Sequence, residues 1–221
     1  MLQAALFDMD GVIVNNRDAH LQAFDLFAKR YSIANFDPMS LLPYFGSTNE
    51  VIMKFVFGRD DIPADEVERL SQEKEQIYRD LYDPVMAPAS GLVDLLETLR
   101  SAGVRIAVGS SAPRVNVDFV LERCRIARYF DAVACGSEIS HSKPDPEVYL
   151  LAAKKLGVAP ADCVVFEDAF VGMEAAHRAG AKVVALASTF TREMIEQRGG
   201  YDWLADNFHD VTLAGLQHLW K

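Results

Sequence analysis

Short apolar runs punctuate this 221-residue chain. Five of them are β-rich: Ala4–Phe7, Val104–Val108, Ala132–Cys135, Cys163–Phe166 and Lys182–Leu186. Between the last four, apolar residues return at helical spacing, in Val115–Cys124, Pro146–Leu156 and Gly172–Ala179. Strands alternating with helices predict a parallel sheet covered on both faces. The runs Val164-Val165-Phe166 and Val183-Val184-Ala185-Leu186 are continuously apolar, as strands buried on both faces are. The gap between Phe7 and Val104 breaks this rhythm. It holds four helical patterns, Ala19–Tyr31, Asn49–Phe57, Glu66–Tyr82 and Leu92–Ser101, and only the last is needed as a crossover. Residues 15–84 therefore read as a helical domain inserted after the first strand, and residues 1–14 with 85–221 as a discontinuous α/β core. Asp83-Pro84 and Pro88-Ala89-Ser90-Gly91 mark the return of the chain. An insertion rooted beside the first strand's tip hangs over that tip as a lid. Phe24, Phe27, Phe55 and Phe57 read as the lid's own core. The tail Leu213–Trp220 has helical spacing, with Trp220 packed on the body.

Each predicted strand ends in polar residues. The first runs Leu6-Phe7-Asp8-Met9-Asp10-Gly11. In an extended chain Asp8 and Asp10 share a face, and strand tips of α/β sheets are where sites form. Two crowded carboxylates repel, and a hard divalent cation bound through oxygen relieves them. This places Asp8 as a nucleophile beside a metal and Asp10 as a general acid and base. The second tip, Gly109-Ser110-Ser111-Ala112-Pro113, offers hydroxyls and backbone N–H groups for a phosphate oxygen, or alternatively a helix N-cap. Lys143 follows in Ser142-Lys143-Pro144-Asp145-Pro146, a loop pinned by two prolines, where it neutralises Asp8 and a transferring phosphoryl group. Glu167-Asp168 then ends the run Val164-Val165-Phe166, with two more acids for a metal site shared with Asp8.

Composition narrows the partners. The formal net charge of −10 disfavours nucleic acid and anionic membrane surfaces. An anionic substrate remains open, because a bound metal and a few cations dominate a pocket. Three cysteines without paired spacing suit apolar fillers in a reducing compartment rather than a disulfide frame or a structural zinc site. No signal-peptide pattern follows Met1-Leu2-Gln3, and no apolar run is long enough to span a membrane. The expectation is a cytoplasmic monomer whose partner is a small molecule.

Asp8-Met9-Asp10-Gly11-Val12, Ser110 in Val-Gly-Ser-Ser, Lys143 in Ser-Lys-Pro-Asp-Pro, and Glu167-Asp168 before Gly172 occur in that order. Together they resemble the haloacid dehalogenase superfamily, in its β-phosphoglucomutase-like and sugar-phosphatase branch. The resemblance spans essentially the whole chain. It implies a Rossmann-like parallel-sheet core with a helical-bundle cap inserted after the first strand. It also implies that Asp8 forms an aspartyl-phosphate and that Asp10 protonates the leaving oxygen and deprotonates the acceptor. Magnesium would be held by the Asp8 carboxylate, the Asp10 backbone carbonyl and Asp168, with Glu167 acting through water. Ser110 and Lys143 would bind phosphoryl oxygens. An aspartate two residues after the nucleophile resembles phosphatases and phosphomutases rather than P-type ATPases or dehalogenases.

Whether water or a sugar hydroxyl accepts the phosphoryl group depends on the cap. Asp10-Gly11-Val12-Ile13, His20 and Lys74 resemble the mutases' opening, cap histidine and cap lysine. His20 otherwise reads as a half-exposed helical residue. Lys74, within Gln72-Glu73-Lys74-Glu75, otherwise reads as part of a solvated charged face. Against the mutase, the chain aligns Gly46-Ser47-Thr48-Asn49 where those enzymes carry a phosphate-gripping arginine, and an amide does not replace that fork. Asn15-Asn16 also departs from the usual hinge. The expectation is a phosphatase of a small phosphorylated metabolite, a sugar phosphate by resemblance. A phosphomutase is the alternative, and a non-catalytic binding module a distant third. Gly46, Asn49, Ser111, His20 and Lys74 are the expected substrate contacts.

Overall fold

The computed structural model describes all 221 residues. Six parallel strands form one sheet: β1 (Ala4–Phe7), β2 (Arg105–Gly109), β3 (Ala132–Ala134), β4 (Cys163–Glu167), β5 (Lys182–Leu186) and β6 (Trp203–Ala205). Their spatial order is β3-β2-β1-β4-β5-β6. The chain moves outward from β1 to β2 and β3, then returns to the other side of β1 for β4. The order thus reverses between β1 and β4, and their C-terminal ends open the crevice where α/β sheets bind ligands. Asp8 follows β1 immediately, its N–H donating to the Phe166 carbonyl across that crevice at 3.0 Å. Glu167 is the last residue of β4.

Alternation along β1 builds the two cores. Ala5 and Phe7 join one apolar cluster with residues of α4 (Leu92–Ser101), α5 (Arg114–Arg123) and α9 (Leu213–His218). Ala4 and Leu6 join the other with α6 (Glu147–Leu156), α7 (Phe170–Arg178) and α8 (Arg192–Arg198). The phenyl ring of Phe7 stacks on Phe166 at a centroid distance of 4.5 Å, which knits β1 to β4 just below the site.

Between β1 and α4 run α1 (Arg17–Arg30), α2 (Asn49–Phe57) and α3 (Ala64–Tyr82). Phe24, Phe27, Leu41, Ile52, Met53, Val56, Ile62 and Leu70 give this helical segment a separate apolar cluster, with Phe55 and Phe57 packed on it. Tyr78 and Tyr82, at the foot of α3, belong instead to the core cluster beneath β1. The two connecting segments meet at an isolated antiparallel bridge between Val14 and Pro88, where the Ala89 N–H donates to Ile13 O at 2.8 Å.

Two elements differ from expectation. β6 and α8 are absent from the sequence reading. The strand is three residues long, too short to show alternation, and the helix buries only Ile195. Neither Ser110 nor Ser111 caps a helix. Pro113 precedes α5, and the Ser110 hydroxyl instead accepts from the Ala112 N–H at 3.1 Å.

Candidate active site

The tips of β1 and β4 and the loop before α6 bring Asp8, Lys143, Glu167 and Asp168 together, all buried. Lys143 Nζ donates to Asp8 Oδ1 at 2.7 Å, Glu167 Oε1 at 2.6 Å and the Tyr149 hydroxyl at 2.9 Å. Burial pushes this ammonium toward the neutral form, but Asp8 and Glu167 more than offset that and hold it charged. Burial pushes Asp8 the other way, up to about 7, with Lys143 opposing and Glu167 and Asp10 adding to the rise. Asp168 is raised well above the ordinary range by burial and by the charges of Glu167 and Asp8.

Asp8, Glu167 and Asp168 each place one carboxylate oxygen within 4.8 Å of the others. One lysine against three buried carboxylates leaves negative charge uncompensated, and oxygen donors of this kind suit a hard divalent cation. Glu167 fills this set in a particular way. Oε1 accepts from Lys143 and from the Tyr149 hydroxyl, and Oε2 from the N–H groups of Asp168 and Ala169. A carboxylate has about four acceptor directions, and all are taken here. Glu167 therefore contributes charge beside Asp8 and Asp168 and holds Lys143 in place. Gly11 makes the approach of Asp168 possible. Its φ is +82°, and a β-carbon there would collide with the Asp168 carboxylate.

Asp10 lies apart from that cluster. Asn16 Nδ2 donates to Asp10 Oδ1 at 2.6 Å, and His20 Nε2 stands 3.4 Å from the same oxygen. Burial raises the Asp10 pKa, but His20, Asn16 and Lys74 outweigh it and keep the group below its usual range. On the far side of the imidazole, Lys74 Nζ is 3.2 Å from His20 Nδ1. An ammonium only donates, so Nδ1 is the acceptor and Nε2 carries the proton that faces Asp10. Tyr78 stacks on His20 at 3.9 Å and accepts from Asn16, which fixes both.

Each residue expected to touch substrate lines a single pocket with Asp8 and Asp10: His20, Gly46, Asn49, Lys74, Ser110 and Ser111. Lys74 is 1% exposed and Glu75 3%, so these two are not part of a solvated face, although Gln72 in the same run is exposed. Ser111 donates its hydroxyl proton to Gly46 O at 2.7 Å, and the Thr48 N–H donates to Ser142 Oγ at 2.9 Å, so the loop before α2 rests on the core. Lys143 and Glu167 stand behind Asp8 rather than in the pocket wall.

Several participants escaped the sequence reading. Asn16 looked like a hinge variation and is a buried partner of Asp10. Tyr149 occupies an ordinary apolar position of α6. Glu75 sits in a charged run and Asn116 beside buried Val117. Arg17 and Thr189 line the pocket, with Arg17 Nη1 donating to Thr189 O at 3.0 Å. Only a buried-polar signal tied to tertiary contacts distinguishes these residues, and periodicity does not carry one.

A family model described as haloacid dehalogenase-like hydrolase matches residues 5–186. The Thermotoga maritima protein named phosphorylated carbohydrates phosphatase is 30% identical over 191 residues, covering 81% of this chain and 82% of its own. The Arabidopsis thaliana protein SUPPRESSOR OF QUENCHING 1, chloroplastic, is 30% identical over 222 residues. That match covers 97% of this chain and 20% of the plant protein, so the chain spans about a fifth of that relative. Among solved structures, a β-phosphoglucomutase from Clostridium difficile superposes with a TM-score of 0.85 at 25% identity, covering 100% of this chain and 97% of the other. With a match over most of its length and the clustered acids and lysine of the site intact, the chain belongs to the haloacid dehalogenase-like hydrolase family and is an enzyme.

Proposed function

We propose that this enzyme is a magnesium-dependent phosphatase acting on a small phosphorylated metabolite, a sugar phosphate by analogy with its relatives. The observation that carries the reading is the Lys143 bridge. It takes Oδ1 of Asp8, leaves Oδ2 for chemistry, and seats the carboxylate at the pocket floor. Residues 15–84 serve as the cap and residues 1–14 with 85–221 as the core.

Asp8 Oδ2 attacks phosphorus and the ester oxygen departs with a proton from Asp10. Water then attacks the aspartyl-phosphate, Asp10 takes the water's proton, and Asp8 is released. Asp10 rests ionised, and the arrival of a phosphate dianion beside it favours its protonated form. Lys74, His20 and Asp10 form a donor chain along which that proton is supplied. Ser110 and the backbone after β2 hold phosphoryl oxygens. Lys143 has partners for its three N–H bonds, so it acts on the transferred group as a nearby charge. Asp8, Asp168 and the Asp10 backbone carbonyl would hold magnesium, which when bound neutralises charge on the transferring group.

Transfer to a sugar hydroxyl, as in a phosphomutase, is the second reading, and the His20–Lys74 pair favours it. Asn49, neutral where the mutases it resembles carry arginine, opposes it. Phosphorus NMR with magnesium, β-glucose 1-phosphate and a trace of glucose 1,6-bisphosphate separates the two, with a panel of other sugar monophosphates beside it. Free phosphate from any of them, absent with Asp8→Asn, supports the phosphatase. Glucose 6-phosphate identifies the mutase instead, and no product from any ester overturns both.

A further inference from the structure

Asn116 stands in the first turn of α5, is 1% exposed and does not line the pocket, yet a chain of polar contacts runs from it to Asp10. Arg79 Nη1 donates to Asn116 Oδ1 at 2.6 Å. A guanidinium only donates, so this bond settles which end of the amide is oxygen, and Nδ2 faces the other way. There Nδ2 donates to Glu75 Oε2 at 2.6 Å. Oε1 of the same buried carboxylate accepts from Lys74 Nζ at 2.6 Å and Asn49 Nδ2 at 2.9 Å. Lys74 Nζ reaches on to His20 Nδ1 at 3.2 Å, and His20 Nε2 lies 3.4 Å from Asp10 Oδ1. The ammonium is thus shared between Glu75 and the imidazole, and its place between them depends on what else the carboxylate accepts.

We infer that Asn116 is a positioning residue for the proton donor: through Glu75 it holds Lys74 where the ammonium fixes the His20 tautomer. The inference deepens the phosphatase reading, and its kinetic consequence rests on that reading. Without the Asn116 N–H, Glu75 Oε2 is a buried acceptor with no partner, which is costly. Lys74 Nζ already touches the neighbouring oxygen, so the carboxylate turns to take the ammonium with both oxygens and draws it off His20. Nδ1 then loses its donor, and the imidazole proton is no longer confined to Nε2. A ring protonated on Nδ1 turns a bare Nε2 lone pair toward the Asp10 carboxylate, and two acceptors stand face to face. Asp10 is then neither held nor supplied with a proton from that side.

The test reads His20 directly, by long-range proton–nitrogen NMR of the imidazoles in metal-free protein at a pH where they are neutral, with His20→Gln to assign the signals. The unmodified chain is expected to show Nδ1 bare and Nε2 protonated. Asn116→Asp keeps the Arg79 bond and removes the donor to Glu75. Asn116→Leu, which replaces the amide with methyl groups, serves if that variant does not fold. In either, His20 is expected to give the nitrogen shifts of mixed tautomers. Unmoved His20 shifts in a folded variant overturn the inference. In turnover, kcat/KM for the best sugar monophosphate of the panel should fall at least about tenfold further than for acetyl phosphate, whose acetate leaves without a proton. An equal fall in both overturns the positioning role as well. If the unmodified enzyme hydrolyses no sugar monophosphate, the phosphatase reading fails, and the His20 shifts alone decide this one.

Discussion

Lys143 Nζ lies 2.7 Å from Asp8 Oδ1 although 135 residues separate them in the chain. The tip of β1 and the loop before α6 meet there in a dry core, with Glu167 on the lysine's other side. Breaking such a triad by removing one partner leaves the others charged and unanswered. Lys143→Met is expected to lower stability by about 3–5 kcal/mol and turnover by at least about 100-fold. Urea denaturation and phosphate release measure the two. A variant that keeps full stability would show that the carboxylates are not both ionised.

Asp8→Asn acts in the opposite direction on stability. It removes the nucleophile, so turnover falls below about 1%. It also removes one of three buried carboxylates that a single ammonium cannot balance. In metal-free protein the variant is expected to melt at the same temperature or higher than the unmodified chain, by thermal unfolding in chelator. Clear destabilisation would mean that the Lys143 contact outweighs the repulsion.

Magnesium should bind the folded state alone, because only folding assembles Asp8 and Asp168. Saturating magnesium is therefore expected to raise the melting temperature by several degrees, about 2–3 kcal/mol at a hundredfold excess over Kd. Asp168→Asn should abolish that shift. An undiminished shift in the variant would place the metal elsewhere.

Gly172 belongs to the same machinery from behind. It lies in the first turn of α7, and a β-carbon there would overlap the Glu167 carboxylate. Gly172→Ala forces Glu167 off Lys143 and the two N–H groups it caps. A drop of about 2–4 kcal/mol in stability, with loss of activity, is expected from displacing this buried network. A neutral result would show that Glu167 has room to relocate.

The residues at the strand tips were legible because extended runs end where polarity begins. Asp8, Asp10, Ser110 and Glu167-Asp168 sit at or just past such ends, whereas Lys143 comes from the proline-pinned loop before α6. The β1–β4 reversal itself is not written in periodicity, since β5 reads no differently from β4. The division of labour inside the site was also hidden. Glu167 reads as a ligand beside Asp168, and only its four donors show that it also holds Lys143, Tyr149 and two backbone N–H groups. The run Gln72-Glu73-Lys74-Glu75 looks solvated by composition. Burial of Lys74 and Glu75 arises because α3 turns that edge toward His20 and Asn116, partners 54 and 41 residues away. Pairings at such separations are a property of the packed fold.

Glu75 also joins α3 to α5, since Asn116 lies on α5 and takes a second bond from Arg79 at 2.6 Å. The link has a sign in pH. Burial raises the Glu75 pKa, but Lys74, His20 and the Lys74 and Asn49 hydrogen bonds outweigh it, and the group sits below its ordinary 4.5. A carboxyl with a depressed folded pKa contributes stability in full above the unfolded value and loses it as pH falls through the folded one. The stability advantage of the unmodified chain over Glu75→Gln is therefore expected to be about 1–3 kcal/mol at neutral pH. It should shrink once the pH drops below 4.5. Paired melts of the two proteins across that range measure it. A gap that stays constant or widens toward acid would mean that Glu75 is held by packing rather than by its charge.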